Sequence, residues 1–334
     1  MSTAPKVSVI IPTYNRSDLL RNAVASVQGQ TFGGWELVVV DDGSTDDTKA
    51  VVAALAAKDP RIRYAYQPNA GQGAARNTGI AMTRGTYLAF LDSDDAYLAR
   101  NLETKLAVLE ADRGVLIVNG TSWVVDFATG RFADCASYAP TNWLVRREFL
   151  ERGGMFRPEQ RSVEDFAIRV RAIGAQDDPA IERTVAEPLT VYFNHASQVT
   201  SSPQAHPEIF SRRLETVLRD LDPAKPRTFS RFAPDVYSRL ANFYALEGRL
   251  DDARAYFKKS LDVRFTAIAG VLRVATYAGR GPYRAFESAL RALQHGIAWP
   301  LRLMRAERNY PASREAAEEL VEALRRRQGQ PAGA

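Results

Sequence analysis

Two carboxylates stand two residues apart in Asp92-Ser93-Asp94, directly after the apolar run 87–91. At that spacing behind a strand they can converge on one oxygen-ligated cation. A hard ion such as Mg²⁺ or Mn²⁺ takes only one or two protein carboxylates when phosphates supply the rest of its shell. The pattern therefore points to a metal–diphosphate site, where the cation offsets charge on a departing diphosphate. Two more apolar runs end in polar loops of the same kind. Residues 7–11 lead into Pro12-Thr13-Tyr14-Asn15-Arg16, and residues 35–40 into Asp41-Asp42-Gly43-Ser44. Any one of these loops is ordinary helix-capping chemistry. Together they collect like charges that repel, which a divalent cation or ribose hydroxyls would explain and stability would not.

The elements that must position these loops can be read from periodicity. Strands are expected at 7–11, 35–40, 61–66 and 87–91. Helices are expected from a Ser17/Asp18 cap, at 46–57 and at 74–82. Strand and helix alternating over such short connections mean an α/β fold with a mostly parallel, Rossmann-like central sheet and helices on both faces. Ligands gather at the carboxyl ends of such strands. A decoy lies in Gly71-Gln72-Gly73-Ala74-Ala75-Arg76, which mimics a dinucleotide fingerprint with Asp92 about twenty residues on. Arg76 replaces its third glycine and the unit follows the third strand, so dehydrogenase chemistry is set aside.

Four stretches carry a resemblance: Val7-Ser8-Val9-Ile10-Ile11-Pro12-Thr13-Tyr14-Asn15-Arg16, Glu36-Leu37-Val38-Val39-Val40-Asp41-Asp42-Gly43-Ser44-Thr45-Asp46, Gly73-Ala74-Ala75-Arg76-Asn77-Thr78-Gly79 and Phe90-Leu91-Asp92-Ser93-Asp94-Asp95. In this order they resemble the family 2 inverting glycosyltransferases, whose fold is the glycosyltransferase-A fold. The resemblance covers about residues 5–200. It implies that Pro12, Tyr14 and Asp42 hold a nucleotide base, that Arg76 lies near the base or diphosphate, and that Asp92 and Asp94 contact ribose and metal, with Asp94 as the direct metal ligand. Thr13, Asn15 and Asp41 belong to the same donor-side rim. The implied cofactor is Mg²⁺ or Mn²⁺.

Further along, Gly153-Gly154-Met155-Phe156 and Val163-Glu164-Asp165-Phe166-Ala167-Ile168-Arg169 resemble the family's acceptor-side motifs, although Arg157-Pro158 stands where the family usually has Asp. Inverting transfer needs a carboxylate to take the acceptor's proton while the nucleotide leaves from the opposite face. Asp165 is expected in that role, with Glu164 second; the bland alternative is a pair of acids favouring a helix's first turn. By the same resemblance His195 approaches the metal or diphosphate, where an imidazole can complete an Mn²⁺ shell.

The rest of the chain reads as helix. Tyr237, Leu240, Ala241, Tyr244, Gly248, Ala253 and Phe257 sit at the offsets of one tetratricopeptide-type helix–turn–helix. Within 284–305, Phe286, Leu290, Leu293, Ile297, Leu301 and Met304 form one apolar stripe flanked by arginines, with Pro300 expected to kink or split the helix. Such a helix suits either a membrane interface or packing on the hairpin. Eight arginines against Glu287 and Glu307 between positions 264 and 308 account for the whole net charge of +5. The expected domains are 1–205 (a nucleotide-sugar half 1–118 and an acceptor half 119–205), a linker 206–234, an all-α domain 235–327 and a disordered tail 328–334.

Composition bounds the partners. With 46% hydrophobic and 25% charged residues the 334-residue chain is globular, and no run suits a spanning helix. A lone Cys135 excludes an internal disulfide and a cysteine zinc cluster and agrees with a reducing compartment. The start, running from Met1 straight into an apolar strand, reads as leaderless, which puts the chain in the cytoplasm or at the inner face of its membrane. The expected partners are a nucleoside diphosphate sugar, most simply a uridine one, and a glycan or lipid-linked acceptor. Nucleic acid is not expected, because the arginine segment lacks interleaved base-stacking aromatics. The resemblance to family 2 glycosyltransferases implies, as the expected task, assembly of bacterial surface polysaccharide or glycolipid. Rival readings are a non-catalytic scaffold working through the hairpin, and a nucleotidyltransferase on the same fold.

Overall fold

A computed structural model describes residues 4–126, 128–136, 140–160, 163–194, 207–264, 267–293 and 299–327. The chain divides into two compact units: Met1–Glu151, Ala180–Ala196 and Trp299–Ala334 form the first, Arg152–Pro179 and Ser197–Ala298 the second.

In the first unit the expected alternation is present as β1 (Val7–Thr13), α1 (Ser17–Gln28), β2 (Trp35–Asp41), α2 (Thr48–Ala56), β3 (Ile62–Tyr66), α3 (Gln72–Met82) and β4 (Tyr87–Phe90). These four strands pair in parallel in the order β3-β2-β1-β4. Every residue of β1, β2 and β4 is buried, as strands covered on both faces must be. Val7, Val9 and Ile11 share a core with Leu20, Val24 and Val27 of α1. Ile10 faces α3 instead. A Cβ on Gly79 would lie 2.5 Å from Ile10 and 3.2 Å from Val40, so the helix can press this close only at a glycine. The close approach that a dinucleotide fingerprint would place at position 76 is made three residues later.

The sheet continues through β5 (Ala96–Tyr97), β6 (Ile117–Asp126), β7 (Phe132–Ala136), β8 (Trp143–Arg146) and β9 (Glu182–Asn194), with α4 (Asn101–Ala111) packed in the first core. Its full order is β3-β2-β1-β4-β8-β6-β9-β5, with β7 beside β6. β8 runs antiparallel to β4 and β6, β5 antiparallel to β9, and β9 parallel to β6, so this half is mixed.

After α5 (Arg147–Gly153), the second unit is built from α6 (Glu164–Gly174), α7 (Pro207–Asp220), α8 (Pro226–Glu247), α9 (Leu250–Val263), α10 (Ala267–Ala275) and α11 (Arg280–Leu293). The α8–α9 hairpin turns at Gly248, which has φ 94°, and buries Leu240, Ala241, Tyr244, Ala253 and Phe257. The chain then rejoins the first unit as α12 (Trp299–Asn309) and α13 (Pro311–Arg327). Ala306, Ala317, Val321 and Leu324 share a second core with Trp123, Val125, Val191 and Phe193. The Trp123 indole donates to the Ser313 carbonyl at 3.2 Å and hydroxyl at 3.1 Å.

These units depart from the expected domains in three ways. Residues 152–179 go with the helical unit. Residues 206–234 are no linker: α7 and the start of α8 occupy them. Pro207 and Pro226 stand at first helical positions, where a missing N–H costs nothing. Residues 299–327 belong with the sheet and not with an all-α domain. Of the stretch 284–305, where Pro300 is expected to kink or split the helix, α11 is described to Leu293 and α12 from Trp299 with Pro300 in its first turn, and 294–298 lie outside the described residues. The tail 328–334 lies outside the described residues.

Candidate active site

Three loops form the rim at the carboxyl ends of the parallel strands. The β1 loop is fastened to the β2 loop through Asn15, whose φ of 51° is left-handed, a region asparagine tolerates. Its N–H donates to Ser44 Oγ at 2.9 Å, and its Oδ1 accepts from the Thr45 N–H at 2.8 Å. Thr13 is buried, while Tyr14 is 48% exposed and offers an open ring. The helix start differs from expectation. Arg16 occupies the N-cap, and the Ser17 N–H donates at 3.0 Å to Asp46, 29 positions away, so neither Ser17 nor Asp18 caps α1.

Asp41 and Asp42 are buried and their carboxylates are occupied by protein donors. Asp41 accepts from the Ser44 N–H at 2.8 Å and from the Tyr64 hydroxyl at 2.7 Å. Asp42 accepts from Gln67 Nε2 at 2.7 Å, the Ala70 N–H at 2.9 Å and the Gly71 N–H at 2.8 Å. Both residues thus anchor loops, Asp42 setting the path from β3 into α3.

The loop after β4 is different. Asp92 Oδ1 accepts from Gln72 Nε2 at 2.8 Å and from the buried Arg76 Nη2 at 2.9 Å. Asp94 Oδ2 pairs with Nη1 of Arg16. Asp95 is buried and accepts from the Phe193 N–H at 3.3 Å, tying the loop to β9. The three acids crowd one another. Burial raises Asp92 above the usual carboxylate range, with Asp94 adding to the rise and Arg76 opposing it. Burial pushes Asp95 well above that range, and both Asp94 and Asp92 push it further. Behind them the buried Tyr97 phenol is raised by burial, Asp92 and Asp95. Gathering buried carboxylates in this way costs free energy unless positive charge arrives.

The acids suit a hard divalent ion in chemistry and in number. Among the described residues no three His, Cys, Asp or Glu side chains converge as a ready-made metal cage. One or two carboxylates with the balance of the shell from phosphate oxygens is the set such an ion accepts beside a nucleotide. On the helical unit, the expected acceptor-side acids open α6: Glu164 and Asp165 are its first two residues, Glu164 buried and Asp165 half-buried. His195 lies outside the described residues.

The structure brings Pro12, Thr13, Tyr14, Asn15, Asp41, Asp42, Arg76, Asp92 and Asp94 to one edge of one sheet. It adds Arg16, Gln72 and Asp95, which pattern-reading passed over. Gln72 had a usable signal, since it stands four residues before Arg76 and so on the same helical face. Arg16 had none, because its partner is 78 positions away.

Residues 8–157 match the family model described as Glycosyl transferase family 2. Over 102 residues the chain is 45% identical to the GalNAc(5)-diNAcBac-PP-undecaprenol beta-1,3-glucosyltransferase of Campylobacter jejuni, covering 30% of this chain and 33% of that protein. It is 42% identical over 103 residues to the teichuronic acid biosynthesis glycosyltransferase TuaG of Bacillus subtilis, covering 30% and 41%. It is also 47% identical over 105 residues to an uncharacterized glycosyltransferase of Rickettsia felis, covering 31% and 17%. The chain therefore spans less than half the length of each of these relatives.

Among solved structures, S. aureus TarS 1-349 in complex with UDP-GlcNAc superposes with TM-score 0.62 at 19% identity, over 86% of this chain and 92% of that one. The mannosyltransferase PcManGT of Pyrobaculum calidifontis, in complex with GDP-Man and Mn²⁺, gives 0.54 at 19% identity over 98% and 89%. The fold is that of these solved structures, and residues 8–157 carry the likeness to glycosyltransferase family 2.

Proposed function

We propose that the protein transfers a sugar, with inversion, from a nucleoside diphosphate sugar, most simply a uridine one, to a hydroxyl of a glycan or lipid-linked acceptor. The observation that carries this reading is the crowding of Asp92, Asp94 and Asp95 at the rim that also bears Tyr14 and Arg76. Tyr14 lays its open ring against the base, while Pro12, Thr13, Asn15 and the Asp41–Asp42 loop shape the base and ribose pocket. Arg76 faces the diphosphate side of Asp92. Asp94, with Asp92, would hold Mg²⁺ or Mn²⁺, and His195, outside the described residues, would complete its shell. The ion, when bound, supplies charge neutralisation of the departing diphosphate. Asp165 takes the proton from the acceptor hydroxyl, and Glu164 is second in that role.

The task that fits is assembly of a bacterial surface polysaccharide or glycolipid at the inner face of the cytoplasmic membrane. The names of the Campylobacter and Bacillus relatives favour it. Among the described residues no helix is long and apolar enough to cross a membrane. Val274, Tyr277 and Phe286 of the helical unit are exposed beside arginines, and with the α8–α9 hairpin as a single tetratricopeptide-like unit they offer the peripheral contact. Phe286→Asp should then lower flotation with anionic liposomes; equal flotation removes the membrane part.

The catalytic part is tested by hydrolysis of a nucleotide-sugar panel with Mn²⁺ and no acceptor. A uridine diphosphate sugar should be cleaved by the wild type and not by Asp94→Asn. Failure of every donor to be cleaved, together with no heat of binding for UDP or GDP, overturns it.

A further inference from the structure

The rim holds two ion pairs, Arg76–Asp92 and Arg16–Asp94, and the second occupies the carboxylate read as the direct metal ligand. Arg16 Nη1 pairs with Asp94 Oδ2, and both side chains are largely covered, at 18% and 9% exposure. The backbone under Arg16 is pinned on both sides: Asn15 to Ser44 and Thr45, and Ser17 to Asp46. Its carbonyl also accepts the Leu20 N–H at 3.0 Å, the first bond of α1. The Cα therefore stays in place, and the guanidinium can leave Asp94 only by rotating its own side chain.

Two facts decide what such a rotation would do. A dication on Asp94 and a guanidinium on the same carboxylate repel, so each weakens the other's hold. The planar guanidinium fork also fits a diphosphate oxygen pair as well as it fits a carboxylate.

We propose that Arg16 is a stand-in cation. It neutralises Asp94 while no donor is bound, then swings onto the diphosphate as the metal takes its place. The metal consequently enters with the nucleotide and not ahead of it. This rests on the reading of Asp94 as the metal ligand.

The test follows Mn²⁺ binding to the full chain by electron paramagnetic resonance of the free ion, alone and with UDP or GDP. In the wild type, one of the two nucleotides should tighten Mn²⁺ binding at least about tenfold. Arg16→Gln should bind Mn²⁺ alone about tenfold more tightly than the wild type and bind the nucleotide–Mn²⁺ pair about tenfold more weakly. Arg16→Lys keeps the charge and should follow the wild type for the ion alone.

Equal Mn²⁺ affinity in Arg16→Gln and wild type overturns the proposal. So does a wild type that binds Mn²⁺ as tightly without nucleotide as with either one, a result that needs no variant to fold. Asp94→Asn separates the two levels. If it leaves nucleotide–Mn²⁺ binding intact, the metal reading itself falls. If it abolishes that binding while Arg16→Gln changes nothing for the ion alone, only the stand-in role falls.

Discussion

Two acidic loops stand on one sheet edge, on either side of the β1 loop, and their surroundings differ. Asp41 and Asp42 face backbone N–H groups, a phenol and an amide, so each carboxylate closes a turn or fixes the chain's path. Asp92 and Asp94 pair with Arg76 and Arg16, and both push up the buried Asp95, which accepts from the Phe193 N–H. Residue type and position relative to a strand are the same in both loops. What separates scaffold from candidate metal site is whether donors from the protein already satisfy the charge. In the first loop neutral donors do so, and in the second three acids meet two arginines, with burial and mutual repulsion raising Asp92 and Asp95 above the usual carboxylate range.

The sharpest break of this comparison is Asp94→Asn. Removing a direct ligand should lower Mn²⁺-dependent donor hydrolysis by about 100-fold or more. The melting temperature should change little, because relief of repulsion among the acids offsets the loss of the Arg16 ion pair. A fall in stability with hydrolysis retained would make this loop a scaffold like its neighbour.

Asp42→Ala should do the opposite. It strips three donors of their acceptor, two of them backbone N–H groups beside α3, and a buried unsatisfied donor costs about 1–3 kcal/mol. A loss of about 3 kcal/mol in urea unfolding is expected. Unchanged unfolding would mean that Asp42 is held for a ligand and not for the loop. Tyr14 makes a smaller difference between the two kinds of residue. Its ring is exposed, so Tyr14→Ala should leave unfolding unaltered and weaken UDP–Mn²⁺ binding by about tenfold in calorimetry, the scale of one lost base stack.

How far sequence reached depended on how local the cause was. β1 through β4 and their helices were legible, because apolar runs and short polar loops report burial residue by residue. The rim was legible for the same reason, since every strand end carries its own loop. Contacts between distant segments were not. Nothing near Ser313 says that its carbonyl and hydroxyl will receive the Trp123 indole, and so the last two helices read as part of a separate helical domain. Pro207 and Pro226 misled in another way: a proline that starts a helix looks the same in sequence as one that prevents it. Arg16 reads as one more polar residue of its loop until Asp94 is placed beside it.

Lys105 was the least legible residue, a lysine amid Glu and Thr on α4 that is nevertheless fully buried. Its ammonium has no hydrogen-bond partner among the described residues, and its nearest aromatic face is Tyr97, 5.6 Å to the ring centroid. It extends the contrast between the acidic loops to a buried amine that neither an acceptor nor a counter-ion offsets among the described residues. Burial alone lowers its pKa from 10.5 to about 7. Between those values the unfolded chain binds a proton that the folded chain does not, so stability rises with pH across that window. Below about 7 both states are protonated, and above 10.5 neither is, so the dependence flattens at each end. Lys105→Met removes the charge while keeping most of the volume. The variant should therefore be the more stable at pH 7, and its advantage should shrink by about 1.4 kcal/mol per pH unit as pH rises toward 10. Urea unfolding of both proteins at pH 7, 8 and 9 measures this slope. Parallel curves would show that the ammonium stays protonated in the fold with a partner of its own, as the acids beside Arg16 and Arg76 do.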